Sequence, residues 1–268
     1  MASRARDKEM TMSLGTIDRV ALEHKVKSMY SDVAANPHGE FHFEMGRAMA
    51  ERLGYSPTDL DRVPSEAIDS FAGVGHFFHL ADLRPGEHVV DLGSGSGMDS
   101  FIAALKVGTT GRVVGVDMTD AQLEKASSLA SAQAIGTVNY RKGYIEDTGL
   151  PGESFDCVIS NGVINLAADK TKVFQEVARL LKPGGRLALA DIVTEVPLPE
   201  NVVCNTDLWA ACIGGAAEQQ HYRSAIETAG LVVERVEENA EYRFISEGAR
   251  KATAKWGVKS VSILARKP

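Results

Sequence analysis

An acid followed by three glycines on alternate positions, Asp91-Leu92-Gly93-Ser94-Gly95-Ser96-Gly97, is the stretch of this chain best suited to chemistry. It continues the apolar run His88-Val89-Val90, a strand-forming sequence, and it precedes Met98 to Lys106, which reads as a helix. Glycine lets the backbone turn sharply and approach a ligand that a Cβ would hold off. A strand, a glycine turn and a helix N-terminus in that order point to a nucleotide-type cofactor. The dinucleotide fingerprint needs its third glycine three residues after the second. Here that position is Met98, and Gly97 comes one residue early.

A second half of such a site lies downstream. Arg112-Val113-Val114-Gly115-Val116-Asp117 is another apolar strand ending in an acid, 20 residues beyond Gly97 (117 − 97). A carboxylate at that strand tip can accept two hydrogen bonds from a ribose diol. Thr119-Asp120-Ala121-Gln122 reads as a capping box that opens a helix through about Ala134. Asn161 ends a later apolar strand, and a polar group at the carboxyl end of a central strand faces the cofactor crevice. Cys157, inside that strand, reads as a core residue.

Length and composition bound the partners. The 268 residues suffice for one large domain, or one with an appended lobe, and a 44% hydrophobic content is ordinary for a globular protein. A net charge of −7 with scattered Lys and Arg argues against a nucleic-acid surface, so a small-molecule substrate is expected. No apolar run approaches the roughly 18 residues needed to span a bilayer, and the polar start Met1 to Lys8 is not followed by a signal-type segment. A cytoplasmic location is the default expectation, as a monomer or a homodimer. Cys157, Cys204 and Cys212 form neither a disulfide framework nor a closely spaced metal site, and no metal is expected.

The elements that must position these residues follow from periodicity. Ile17 to Ala35 carries Val20, Val26, Met29, Tyr30 and Val33 at helical spacing. Asn36-Pro37-His38-Gly39 breaks that helix, a second runs from about Glu44 to Leu53, and Ser56-Pro57-Thr58-Asp59-Leu60 starts a short third. From His88 onward strands and helices alternate, with further strands at Phe155–Ser160 and Gly185–Ile192 and a helix over about Asp169–Leu181 that Lys182-Pro183-Gly184-Gly185 stops. An insertion carrying Cys204, Trp209 and Cys212 precedes a helix at about Gln219–Ala229 and final strands at Leu231–Val236 and Lys259–Ala265. The expected architecture is α/β: a Rossmann-like, seven-stranded, mostly parallel sheet with helices on both faces, an antiparallel edge strand and an N-terminal helical cap. Expected divisions are a helical arm and cap over 1–70, a cofactor-binding core over 71–195, and a substrate-side insertion with the closing strands over 196–268.

With Asp91-Leu92-Gly93-Ser94-Gly95-Ser96-Gly97, Val116-Asp117-Met118-Thr119, Ser160-Asn161-Gly162-Val163-Ile164-Asn165-Leu166 and Leu208-Trp209-Ala210-Ala211-Cys212-Ile213-Gly214-Gly215-Ala216, the chain resembles the class I S-adenosylmethionine-dependent methyltransferases, in their arsenite methyltransferase branch. The resemblance covers most of residues 25–230. It implies S-adenosylmethionine as cofactor and S-adenosylhomocysteine as product, with the glycine loop under the amino-acid half. The cofactor-binding set it implies is Asp91, Gly93, Ser94, Gly95, Gly97, Asp117, Met118, Ile145, Glu146 and Asn161, with Glu146 or Asp147 near the adenine amino group. Tyr30 lies in a segment that packs over the bound cofactor in relatives.

In that branch three cysteines hold trivalent arsenic as thiolates. Here the first two places are Val74, within Gly73-Val74-Gly75, and Gly162; only Cys212 remains. One thiolate cannot chelate arsenite at several points, although Cys204 would supply a second sulfur if its loop folds back. The chain instead presents His76-Phe77-Phe78-His79, suited to an organic acceptor with an apolar part and a titratable group. The expected function is therefore methyl transfer to a small molecule bearing a thiol, selenol, imidazole or amine nucleophile. His76, His79, Asn161, Cys212 and Tyr30 are the candidate catalytic residues. Arsenite methylation through Cys212 and Cys204, and a cofactor-binding protein without catalysis, are the alternatives. An oxidoreductase is disfavoured by Met98.

Overall fold

A computed structural model describes residues 19–199, 202 and 214–268. Their frame is one sheet in the order β3-β2-β1-β4-β5-β8-β7, with a two-residue strand, β6, paired to β5. The strands are β1 (His88–Leu92), β2 (Arg112–Asp117), β3 (Val138–Lys142), β4 (Phe155–Asn161), β5 (Leu181–Thr194), β6 (Ala217–Glu218), β7 (Val232–Glu238) and β8 (Lys259–Arg266). β1 to β5 run parallel, whereas β8 is antiparallel to both β5 and β7. The mixed α/β sheet with its antiparallel closing pair is the architecture expected from the alternating pattern.

Alternation along β1 explains why the sheet needs two covers. Val89 joins a core with Leu22 and Val26 of helix α1 (Arg19–Ala35) and with Phe101 and Ile102 of the helix Met98–Val107, here α6. Val90 and Leu92 point the other way, into a core with Val173, Phe174 and Val177 of α8 (Lys170–Leu180) and Tyr222 and Ile226 of α9 (Gln219–Thr228). Successive strand residues face opposite sides, so a strand apolar throughout demands helices on both.

Chain order places the site. β1 connects onward to β2 on one flank, while its other neighbour is β4, so consecutive crossovers diverge at the β1–β4 boundary. A crevice opens there at the strands' carboxyl ends.

Several elements differ in detail from expectation. α1 is described from Arg19 onward, and Val20 on its expected apolar face is 78% exposed; the buried stripe is Leu22, Val26 and Val33. The second helix is the shorter α2 (Arg47–Leu53), and the third is α3 (Pro57–Leu60). Three helices carry too few apolar repeats to announce themselves: α4 (Ser65–Asp69), α5 (Phe78–Ala81) and α10 (Glu247–Trp256). The helix after β2 is α7 (Asp120–Ala132). Lys182-Pro183-Gly184-Gly185 lies within β5, because Leu181 already pairs with Phe155 directly after α8. No described helix is long and apolar enough to cross a membrane.

Below the sheet, at the end opposite the crevice, Arg186 on β5 fastens the connection between α5 and β1 to the sheet. Its guanidinium donates to Glu87 at 2.9 and 2.7 Å, to the Asp82 carbonyl at 2.9 Å and to the Ala81 carbonyl. The pair is largely buried, with side chains 10% and 17% exposed. Removing one partner of a buried pair leaves an uncompensated charge. Arg186→Ala is expected to destabilise the fold by about 3 kcal/mol or more, read by urea unfolding, and Glu87→Gln by less, since the amide keeps an acceptor.

Candidate active site

The glycine turn is held from β2. The amides of Gly93 and Ser94 both donate to the Val116 carbonyl, at 2.8 and 3.1 Å. All three loop glycines have positive φ (72°, 52° and 94°), and a Cβ on Gly97 would collide with the Tyr140 hydroxyl. Only glycine meets both constraints there. Asp117 binds the loop from the other side: one oxygen accepts from the Gly95 amide at 3.0 Å and the other from the Thr119 amide at 2.8 Å. Each oxygen keeps a lone pair for a further donor, as contact with a diol requires.

These residues line a cavity of about 360 Å³, into which Asp91, Asp99 and Asp117 all face. Asp91 is 2% exposed and accepts from the Ser100 hydroxyl at 2.6 Å; Asp99 is 6% exposed. Burial pushes all three carboxyls above the usual range, and for Asp91 the nearby Asp99 adds to it. Crowded, desolvated carboxylates are relieved by a cation. S-adenosylmethionine carries two cationic centres, a sulfonium and an ammonium, together with a ribose diol. The donor set and the glycine cradle therefore fit that cofactor. Asp91 and the glycine loop would meet its methionine half, Asp117 its ribose, and Met118, Ile145 and the half-buried Glu146 its base.

α1 roofs the cavity with Leu22, Val26 and Tyr30. It is clasped to the segment after β3 by Lys27, Glu23 and Tyr144: the Tyr144 hydroxyl donates to Glu23 at 2.7 Å and accepts from Lys27 at 3.1 Å. The expected capping box is not made. Thr119 occupies the N-cap of α7 without a side-chain bond, and the buried Gln122 amide instead donates to the Tyr30 carbonyl at 2.8 Å while accepting from Ser96. A buried amide needs partners, and the roof and the glycine loop supply them.

At the far wall, Asn161 gathers the turn Gly73-Val74-Gly75. Its carbonyl oxygen accepts from the Val74 amide at 2.7 Å, and its amide nitrogen lies 3.0 Å from the Gly75 carbonyl, from Asp99 and from the Tyr55 hydroxyl. The structure thus brings Asn161, Tyr30, Asp91, Gly93, Ser94, Gly95 and Gly97 to one cavity, with Asp117, Met118, Ile145 and Glu146.

His76 and His79 are not brought there. Their rings stack on each other, with centroids 5.4 Å apart, outside the cavity lining, and His79 pairs with Glu237 of β7 at 2.7 Å. Burial and the neighbouring His79 push His76 down to about 4, so it is a neutral packing group against Tyr55. The lining of this cavity thus holds neither of the two imidazoles expected to face the acceptor, and His79 is held by an acid on β7 instead. Cys212 and Cys204 lie outside the described residues. Cys157 is fully buried in β4, and burial pushes its thiol up to about 12. Among the described residues no cluster of His, Cys, Asp or Glu could hold a metal ion. Asp99 and Tyr55 escaped the sequence reading. Asp99 sits two residues past the last loop glycine, a position that signals it only once the helix is known to start beneath the ligand.

Comparison with known proteins agrees with this geometry. A methyltransferase-domain family model matches residues 83–230. The arsenite methyltransferase of Halobacterium salinarum is 37% identical over 220 residues, covering 82% of this chain and 56% of that protein. The human arsenite methyltransferase is 42% identical over 137 residues, covering 48% and 36%. The chain thus spans little more than half of the first relative and about a third of the second. A crystal structure of an arsenic(III) S-adenosylmethionine methyltransferase from Chlamydomonas reinhardtii superposes with a TM-score of 0.61 at 31% identity, covering 83% of this chain and 74% of that one.

The buried acids predict opposite effects on stability and on ligand. Burial raises the folded-state pKa of Asp91 above its unfolded value of 3.8, so its charge costs nothing below that pH and stability falls as pH rises through the folded value. Asp91→Asn is therefore expected to raise the melting temperature of the ligand-free protein by a few degrees at neutral pH, about 1 kcal/mol, with the gain vanishing near pH 4. The same variant is expected to bind S-adenosylhomocysteine about tenfold more weakly in calorimetry.

Proposed function

The chain belongs to the methyltransferase-domain family, and we propose that it transfers a methyl group from S-adenosylmethionine to a soft, thiol-type nucleophile on a small organic molecule. The observation that carries the choice of acceptor is the contact between Val74 and Gly162. A Cβ on Gly162 would stand 3.1 Å from Val74 Cγ1, so the two positions that the resemblance assigns to arsenite-methyltransferase cysteines lie side by side, Gly162 in the lining of this cavity and Val74 buried behind it. Here one is an isopropyl group and the other, at φ +70°, a bare backbone. Neither position offers a thiolate to clamp a thiophilic centre, which favours an organic acceptor over free arsenite.

The chemistry asks little of the protein beyond arrangement. S-adenosylmethionine supplies an activated methyl group, and the transfer is an in-line displacement. Positioning the two partners is worth roughly 7–11 kcal/mol in well-oriented cases. Asn161 fixes the Gly73–Gly75 wall against the end of β4, and Leu22, Val26 and Tyr30 close the cavity from above and exclude water. No histidine lines the cavity among the described residues, so the acceptor must ionise without an imidazole base. Thiols do so readily, with a small thiolate fraction at neutral pH and high intrinsic nucleophilicity. Action in the cytoplasm, as a monomer or a homodimer, belongs to the same proposal.

Incubation with methyl-labelled S-adenosylmethionine, offering arsenite with a reductant in one arm and a panel of aliphatic and aromatic thiols in the other, tests the reading. Label is expected in at least one thioether and at background in arsenic species. Arsenic methylation exceeding that of every thiol would return the arsenite reading through Cys212 and Cys204. Donor binding without transfer to any acceptor would leave a non-catalytic binding protein.

A further inference from the structure

Tyr55 is 2% exposed, contributes nothing to the cavity lining, and yet spends its hydroxyl on residues that do line it. It donates to one Asp99 oxygen at 2.7 Å and accepts from the Asn161 amide at 3.0 Å. The same amide nitrogen lies 3.0 Å from the other Asp99 oxygen. The tyrosine ring is wedged edge-on among Phe71, His76 and Phe78, with centroids 5.2, 4.8 and 6.0 Å away, and beside Asp99 the Gly75 carbonyl is a longer acceptor for the hydroxyl at 3.4 Å. His76, unneeded for proton transfer in the arrangement described above, acquires a place in this wedge.

We propose that Tyr55 is a positioning residue of the donor site: braced by Asn161, it holds the Asp99 carboxylate toward the ammonium of the methionine half of S-adenosylmethionine. The inference rests on the cofactor reading and deepens it. A carboxylate held by donors on both oxygens has its remaining lone pairs aimed into the cavity. The natural complement is a cation that carries N–H groups. The ammonium has three; the sulfonium has none. Asp99 lies in the first turn of α6, next to the glycine loop, where the amino-acid half of the donor belongs.

Burial works against the charged form of Asp99, while the Tyr55 and Asn161 bonds work for it. Asp91 is the other acid close by, and its presence disfavours a second negative charge until a cation arrives. Because Asn161 also accepts from the Val74 amide, the group that orients the donor's charge is tied to the wall that faces the acceptor.

Calorimetric titration of the full chain with two ligands separates this role from general packing. S-adenosylhomocysteine keeps the ammonium, and 5′-methylthioadenosine keeps the nucleoside and thioether but lacks the amino-acid group. Tyr55→Phe is expected to weaken S-adenosylhomocysteine about tenfold and to leave 5′-methylthioadenosine within about twofold. Asp99→Asn, whose fold does not depend on the tyrosine substitution, is expected to show the same selective loss. An equal loss for both ligands in both variants, or an unchanged affinity for S-adenosylhomocysteine, would overturn the proposal. If the unsubstituted protein binds neither ligand, the cofactor reading falls and takes this inference with it; binding by the unsubstituted protein with no selective loss defeats the role of Tyr55 alone.

Discussion

Negative charge kept away from water organises this site. Asp91, Asp99 and Asp117 converge where β1 and β2 deliver their carboxyl ends, and each would be costly there without hydrogen-bond donors. Ser100 serves Asp91, Tyr55 and Asn161 serve Asp99, and the amides of Gly95 and Thr119 serve Asp117. The glycine loop, the first turn of α6 and the end of β4 take their positions from these bonds as much as from packing. What the donors cannot remove is the mutual repulsion of the acids, and a ligand with two positive centres relieves it. Affinity and instability thus have one source: the unliganded site is strained in proportion to how well it receives its cofactor.

The sheet makes this concentration of charge possible. Its central strands β1 and β4 are apolar on both faces and sealed by helices, so their interior tolerates little polarity, and Asp117 and Asn161 sit at strand tips. The tips of β1 and β4 are also where the chain's crossovers part, which leaves room above them. At the opposite end Arg186 closes the base with a largely buried ion pair to Glu87.

What the sequence revealed and concealed follows from the range of each interaction. The glycine loop, the acid ending β2 and the alternation of strands and helices were legible because each is written in adjacent residues or in a short period. Asn161 was legible from its place at a strand end. Tyr55 was not: its partners Asp99 and Asn161 lie 44 and 106 residues away, and no local pattern joins them. The pairing of His79 with Glu237 was hidden for the same reason, since the two are 158 residues apart. Short helices such as α5, and α10 with only Ala249 and Ala252 buried, carry too little apolar repeat to read. The significance of Val74 beside Gly162 was half visible: the missing sulfurs could be read in one dimension, but their adjacency could not.

The clasp between α1 and the segment after β3 differs in kind from everything beneath it. Lys27, Glu23 and Tyr144 meet at the surface, with Lys27 and Glu23 side chains 32% and 41% exposed. Such ion pairs are weak and screened by dissolved salt, whereas the buried carboxylates below are shielded from it. The clasp over the cavity is therefore loosened by dissolved salt, while the hydrogen bonds of the floor are not.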